Sequence, residues 1–150
     1  MPILNYTTSI SAEKTANEIQ AILRTHHAKT VVTNYGPAGE IESLSFFAST
    51  PYGDRAFLLP VNTEAVFRVL QKQFPGRRTY YPDNSKRDAI QRSQAERVAW
   101  RIMKNWVEAQ MAILEAEMVT LEQVFLPYMV NRQGETLYTQ LCGGRLLLDK

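Results

Sequence analysis

The longest helical pattern in this sequence runs from about Asp88 to Glu117, with no glycine or proline inside it. Its apolar residues recur at steps of three and four and therefore share one helix face. They are Ala95, Val98, Ala99, Ile102, Trp106, Ala109 and Ile113. A polar stripe has the same spacing: Gln94, Arg97, Arg101, Lys104 and Glu108. The pattern predicts one long amphipathic helix, with Asp88 at the positive end of its dipole.

Charge is distributed unevenly along this part of the chain. Residues Pro75 to Lys104 include eight basic and three acidic side chains, a net +5. The next stretch, Asn105 to Phe125, has four glutamates and no basic residue, a net −4. The whole chain is only +2. A local basic surface on a nearly neutral protein predicts contact with an anionic partner at one place. It does not predict nucleic acid bound over the whole surface.

Length and composition favour one folded domain over residues 1–150. A hydrophobic content of 45% is enough for a core and argues against disorder. Cys142 is the only cysteine, which excludes an intramolecular disulfide and suits a reducing compartment. The sequence has neither a signal-peptide pattern nor a membrane-spanning apolar run. These features predict a cytoplasmic protein without membrane contact.

The first 75 residues predict a β-α-β-β-β-α core with an antiparallel sheet. The predicted strands are Ile3–Thr8, Lys29–Tyr35, Ile41–Thr50 and Arg55–Val61. The first helix has its apolar stripe at Ala16, Ile19, Ile22 and Leu23, and the second starts at Asn62 or Thr63 and ends at Phe74. A turn at Gly36–Gly39 and another at Pro51–Asp54 connect the three central strands. The fold class is therefore predicted to be α+β.

The second half is predicted to be a basic loop over residues 76–87 followed by a helical part over residues 88–150. The long helix is followed by a shorter C-terminal helix, because Thr120 and Gln123 match a capping box. A turn is predicted at Asn131–Gly134, and a short helix or irregular turn at Glu135–Leu141.

The order of helix, three antiparallel strands and helix resembles that of double-stranded-RNA-binding domains and of the core of single-strand-annealing recombination proteins. The RNA-binding family has a lysine cluster at the start of its second helix, where this chain has Asn62-Thr63-Glu64. That substitution argues against binding of double-stranded RNA.

A more local resemblance involves the opening residues Met1–Thr8, the stretch Glu96–Ile102 and the stretch Glu122–Tyr128. These stretches look like those of small hypothetical proteins of bacteriophages and prophages. The resemblance implies a phage or prophage setting, and it implies no chemistry.

The sequence offers little for catalysis or for metal binding. His26 and His27 are adjacent and point to different sides of a helix, so they suit a helix end better than a shared metal. Cys142 precedes Gly143-Gly144 without a patterned base, which favours an incidental thiol over a nucleophile. No phosphate-binding glycine-rich motif and no nucleophile elbow occur. The prediction is a non-enzyme without a cofactor or metal.

A cluster of basic and aromatic residues is the best candidate site. It comprises Arg77, Arg78, Tyr80, Tyr81, Lys86 and Arg87, extended along the helix by Arg97 and Arg101. Arginine donates forked hydrogen bonds to phosphate, and tyrosine offers a ring on which a base stacks. The combination predicts binding of nucleic acid, most simply single-stranded. A soluble loop without a ligand is the alternative interpretation of the same residues.

Two other functions fit the sequence. One is a protein-interaction factor that binds a host protein through the amphipathic helix and the apolar tail Leu146–Leu148. The other is a pocket that holds a small nucleotide. A homo-oligomer through the long helix is also predicted, because apolar residues are spread around it: Trp100, Met103, Trp106, Met111 and Met118.

Overall fold

A computed structural model describes residues 1–75 and 85–144. Within these ranges the elements are, in chain order, α1 (Ala12–Thr25), β1 (Ala28–Tyr35), β2 (Ile41–Thr50), β3 (Gly53–Leu58), α2 (Thr63–Gln73), α3 (Ser85–Glu115), α4 (Leu121–Phe125), a 3-10 turn (Leu126–Tyr128), β4 (Met129–Val130) and α5 (Leu137–Cys142). The α+β class is confirmed, as is the succession of a helix, three antiparallel strands, a helix, the long helix and a short helix.

The predicted first strand, Ile3–Thr8, is wrong. These residues form turns, in which the Tyr6 amide donates to the Ile3 carbonyl (3.2 Å) and the Thr8 amide donates to the Asn5 carbonyl (3.0 Å). Asn5 has a φ of 64°, a left-handed conformation that asparagine tolerates better than most residues. The polar–apolar alternation resembled a strand, but local hydrogen bonding satisfies this backbone instead.

The contacts divide the chain into two compact units, each made of two stretches. We call Met1–Glu18 with Val61–Trp106 the basic unit, and Ile19–Pro60 with Val107–Lys150 the acidic unit. The basic unit has eleven basic and six acidic residues, a net charge of +5. The acidic unit has six basic and nine acidic residues, a net charge of −3. Contact-based units do not decide whether a chain folds as one domain, so the single domain over residues 1–150 stays a prediction.

In the basic unit, the N-terminal segment is held by two glutamines. Gln73 at the end of α2 accepts a hydrogen bond from the Ile3 amide (2.9 Å) and donates to the Met1 carbonyl (3.2 Å). Gln94 on α3 donates to the carbonyls of Tyr6 and Thr8, both at 2.9 Å. These bonds satisfy the irregular backbone that precedes α1. Beneath it, Phe67 and Leu70 of α2 are buried together with Ala95 of α3, with relative exposures of 4%, 4% and 0%.

The acidic unit contains an antiparallel sheet whose strand order in the described residues is β1-β2-β3-β4. Along β2, Leu44, Phe46 and Ala48 are completely buried, whereas Phe47 is 40% exposed. This alternation is as predicted, and it gives the sheet an inner and an outer face. On the inner face, the Phe46 ring lies 5.3 Å from the Phe57 ring and 5.3 Å from the Phe125 ring of α4.

The buried face of α3 agrees with the prediction only in the first half of the helix. Ala95, Val98 and Ala99 are buried as predicted. Further along, the buried residues are Trp100, Met103, Val107 and Met111, whereas Ala109 is exposed and Ile102, Trp106 and Ile113 are half-buried. Residues of α3 belong to both units. The buried residues therefore do not keep to one face along the whole length of the helix.

Two further predictions concern membranes and assembly. Within residues 1–75 and 85–144, no helix is long and apolar enough to cross a bilayer.

Of the apolar residues that suggested a helix-mediated oligomer, Trp100, Met103 and Met111 are already buried in the single chain, and Met118 is 72% exposed. The homo-oligomer stays a prediction, with less apolar helix surface to support it than the sequence suggested.

Candidate functional site

The centre of the predicted basic cluster lies outside the described residues, since Arg77, Arg78, Tyr80 and Tyr81 fall within residues 76–84. The two flanks of that segment are described and are tied to each other. Arg87 Nη1 donates to the Pro75 carbonyl (2.6 Å), and Gln91 Nε2 donates to the Phe74 carbonyl (2.8 Å). The first turns of α3 are therefore joined to the end of α2.

The predicted loop over residues 76–87 is too long at its end, because α3 begins at Ser85 and includes Lys86 and Arg87, which have different environments. Lys86 is exposed, so its ammonium is accessible to an anion. Arg87 is half-buried, lies 3.8 Å from Asp88 and donates to Pro75. Its guanidinium therefore joins the start of α3 to the end of α2, and fewer of its five N–H donors remain for a ligand. Arg68 and Lys72 on α2 are exposed cations of the same unit that the sequence analysis did not include.

Arg97 and Arg101 are engaged in contacts within the chain. Arg97 donates through Nε (3.0 Å) and Nη2 (2.7 Å) to Gln94 Oε1, the same glutamine whose amide nitrogen holds the N-terminal segment. Arg101 Nη1 lies 2.5 Å from Glu18 Oε2, and it also reaches Thr15 Oγ1 at 3.5 Å. The Arg101 side chain is 19% exposed, so the polar stripe is not a fully solvated face.

Helical geometry nevertheless places three of the four described cations of the cluster on one side of α3. At 3.6 residues per turn, Lys86, Arg97 and Arg101 fall within a sector of about 60° and extend over roughly 22 Å of helix, whereas Arg87 lies about 100° from Lys86. Lys86 is accessible, and Arg97 adds positive potential along the same side, while Glu18 offsets the charge of Arg101. Whether all eight predicted residues act as one site stays a prediction.

Arg92 is a further basic residue of α3, on a different side of the helix from Lys86, whose contacts the sequence did not predict. It pairs with Glu64 of α2 at 2.6 Å, and its guanidinium carbon lies 4.1 Å from the centre of the Phe67 ring. A cation above an aromatic ring is stabilising. The pairing joins α2 to α3, and spacing along one helix gives no signal for it.

The Arg101–Glu18 pair gives a testable prediction for the basic unit. Arg101→Ala is expected to destabilise the fold by about 1–2 kcal/mol, between the values typical of exposed and of buried ion pairs. A double-mutant cycle with Glu18→Gln, followed by urea unfolding, should give a coupling free energy of about 1 kcal/mol. Strict additivity of the two substitutions would contradict this assignment. Lys86→Ala on the same side of α3 is the control and should change stability by less than about 0.5 kcal/mol.

A second candidate site is a cleft of about 900 Å³ in the acidic unit, on the outer face of the sheet. It is lined by apolar residues of the sheet and of the C-terminal segment: Phe47, Ala56, Leu58, Met129, Val130 and Leu137. Polar residues surround them: Asn34, Ser43, Ser45, Asp54, Arg55, Asn131, Arg132 and Gln140. The sequence analysis did not find this cleft, because its two walls come from segments far apart in the chain.

The charged groups of the cleft differ in their partners. Asp54 accepts a hydrogen bond from Ser49 (2.8 Å) and pairs with Lys29 (3.4 Å), and these two contacts lower the pKa of its carboxyl. Arg55 lies opposite the buried Ala48 in the strand register, so its side chain is directed to the inner face of the sheet, and its Nη1 donates to the Asp54 backbone carbonyl (3.1 Å). Arg132 is exposed and has no hydrogen-bond or ion-pair partner among residues 1–75 and 85–144. Arg132 therefore retains guanidinium donors for a ligand in this cleft.

The histidine and cysteine residues do not form a site. His26 Nδ1 lies 2.8 Å from the Ile22 carbonyl oxygen at the end of α1, which is the helix-end role predicted for it. Cys142 is exposed on α5, and its hydrogen bond with Tyr138 raises the pKa of that phenol. In the described part of the chain no three His, Cys, Asp or Glu side chains are grouped as metal ligands.

Comparison with known proteins gives no family assignment. No protein-family model, no curated protein and no solved structure matches this chain. The resemblance to phage and prophage proteins therefore stays a prediction, and the functional argument rests on the residues themselves.

Proposed function

We propose that this protein is a non-catalytic binding protein whose ligand is single-stranded nucleic acid, held by the basic unit. The observation that supports this most is the separation of charge, with +5 in the basic unit against −3 in the acidic unit. Phosphate groups are attracted to the positive part of such a chain, and the attraction steers encounter as well as binding.

The segment of residues 76–84 supplies the contact groups in this proposal. Arg77 and Arg78 bind phosphate, and Tyr80 and Tyr81 stack on bases. Its two flanks are joined to each other by hydrogen bonds of Arg87 and Gln91. Lys86 and the exposed cations of α2 extend the path for the phosphate backbone.

A protein partner is the alternative function. An amphipathic long helix and an apolar tail at Leu146–Leu148, which lies outside the described residues, suit a contact with a host protein. A phage or prophage setting, a cytoplasmic location and self-association through the long helix are parts of the same proposal, and they apply to either ligand. Salt dependence distinguishes the two, because phosphate contacts weaken steeply with salt and apolar helix contacts do not.

The double substitution Arg77→Glu/Arg78→Glu is expected to weaken single-strand binding for all sequences and to reduce its salt dependence. Fewer phosphates are neutralised, so fewer counterions are released. Fluorescence anisotropy with labelled single strands at about 50 and 200 mM salt measures both effects. Arg24 is an exposed arginine of the acidic unit. The control substitution Arg24→Glu should change neither the affinity for single strands nor its salt dependence. An equal loss in the control would show a non-specific charge effect and contradict a localised site.

Tyr80→Ala separates stacking from charge in the same assay. Loss of one base stack should cost about 1–3 kcal/mol of binding free energy, while the salt slope stays that of the unmodified protein. A salt dependence of binding much weaker than that of the unmodified protein would contradict the assignment of Tyr80 to base stacking. Thermal unfolding of each variant verifies that the fold is retained.

A further inference from the structure

We propose that the cleft on the outer face of the sheet is a binding site for a nucleoside monophosphate. The site lies wholly within the acidic unit. It shares no residue with the basic cluster, so it does not depend on the proposed binding of single strands.

The floor of the cleft offers an accessible aromatic ring between small or aliphatic neighbours. The strand register places Phe47 beside Ala56 of β3 and Thr30 of β1, and it places Val130 of β4 on the other side of Ala56. Ala56 is small, and the Phe47 side chain is 40% exposed. An exposed phenylalanine on the open face of an antiparallel sheet is a stacking platform for a nucleobase.

The charge of the cleft selects an anion. Among the described residues that line it, the carboxylate is that of Asp54, which is already paired with Lys29 and hydrogen-bonded to Ser49. Arg132 is exposed and has no hydrogen-bond or ion-pair partner in the described residues, whereas Arg55 is directed to the other face of the sheet. A guanidinium has five N–H donors that match phosphate geometry. A phosphate provides the acceptors that the Arg132 guanidinium lacks.

Neutral polar groups complete the site. Asn34 donates to Ser43 Oγ (3.1 Å), and Ser45 lies next to Ser43 along the same face of β2. Gln140 of α5 lines the opposite wall. Amides and hydroxyls are the groups that read the edge of a base. A volume of about 900 Å³ lies in the range of small-molecule sites, whereas a purely apolar occupant would give the Arg132 guanidinium no acceptor.

Isothermal titration calorimetry of the full-length protein with the common ribonucleoside monophosphates tests this site. At least one should bind with a stoichiometry near unity. The matching nucleoside and inorganic phosphate should each bind at least about tenfold more weakly, because each lacks either the charge or the stacking group. Equal affinity for the nucleoside would overturn the assignment of Arg132 to the phosphate, and no heat with any nucleotide at millimolar concentration would overturn the site.

Two substitutions locate the binding. Phe47→Ala and Arg132→Gln should each weaken nucleotide binding by about tenfold or more, and Arg24→Gln, outside the cleft, should not. Amide NMR shifts on nucleotide addition should change in β2, β3 and residues 129–140. Shifts confined to the basic unit, or unchanged affinity in both variants, would overturn the proposal. Because Arg132→Gln leaves the basic cluster intact, retained oligonucleotide binding by this variant separates a failure of the cleft from a failure of the proposed function.

Discussion

Trp100→Ala is expected to lower the free energy of unfolding by about 3–5 kcal/mol, as is typical of a fully buried aromatic residue. The Trp100 side chain is 0% exposed and is among the largest buried side chains of the described residues. Its removal forfeits apolar burial and leaves a cavity that the close-packed surroundings fill only in part. Urea unfolding followed by circular dichroism measures the loss.

Ile90→Ala on the same helix is the matched control. Ile90 is 69% exposed, so its truncation should change stability by no more than about 0.5 kcal/mol. Trp100→Phe adds a second comparison: the indole Nε1 is buried without a hydrogen-bond partner among the described residues, so replacing it removes an unsatisfied donor and offsets part of the lost volume. If Trp100→Ala cost as little stability as Ile90→Ala, α3 would be rotated about its axis so that Trp100 is not buried.

Phe46→Ala is expected to cost about 3–5 kcal/mol as well, because Phe46 is the centre of the aromatic cluster on the inner face of the sheet. Its ring contacts Phe57 in a stacked arrangement and Phe125 edge-on, both at 5.3 Å. Such aromatic pairs contribute beyond their buried area. Thermal and denaturant unfolding should report the loss in the same variant.

The neighbouring residue supplies the control for this prediction. Phe47 is on the outer face and is 40% exposed, so Phe47→Ala should cost no more than about 1 kcal/mol. The two substitutions remove the same atoms one residue apart, and only the direction of the side chain differs. Equal costs would contradict the register of β2. A stable Phe47→Ala variant is also what the nucleotide-binding test requires.

Local signals in the sequence predicted the elements whose stability is local. The alternation of β2 is observed as predicted, and the capping box is present, with Thr120 Oγ1 accepting from the Gln123 amide and Gln123 Oε1 accepting from the Thr120 amide. The segment Ile3–Thr8 was predicted wrongly because its backbone is satisfied by turns and by Gln73 and Gln94, residues 70 and 88 positions away. A short alternating pattern contains no information about such distant partners.

The same limit applies to the candidate sites. The sequence identified the basic segment by composition, but Arg101 pairs with Glu18, 83 residues away, and no spacing rule along one helix predicts that contact. The sheet cleft forms only because the strand register places Phe47 beside Ala56 and because Met129–Val130 pair with β3 as the fourth strand. Its residues are individually unremarkable, so only the tertiary fold brings them together.

Titration of a fluorescently labelled single strand with the unmodified protein tests the central claim most directly, namely that the basic unit binds single-stranded nucleic acid. Anisotropy should rise at about 50 mM salt, and the affinity should fall steeply toward about 200 mM, with a log–log slope that corresponds to several released counterions. An unlabelled double strand should compete poorly, because its bases are not available for stacking. No rise in anisotropy at the lower salt concentration would contradict the claim and favour the protein-partner alternative.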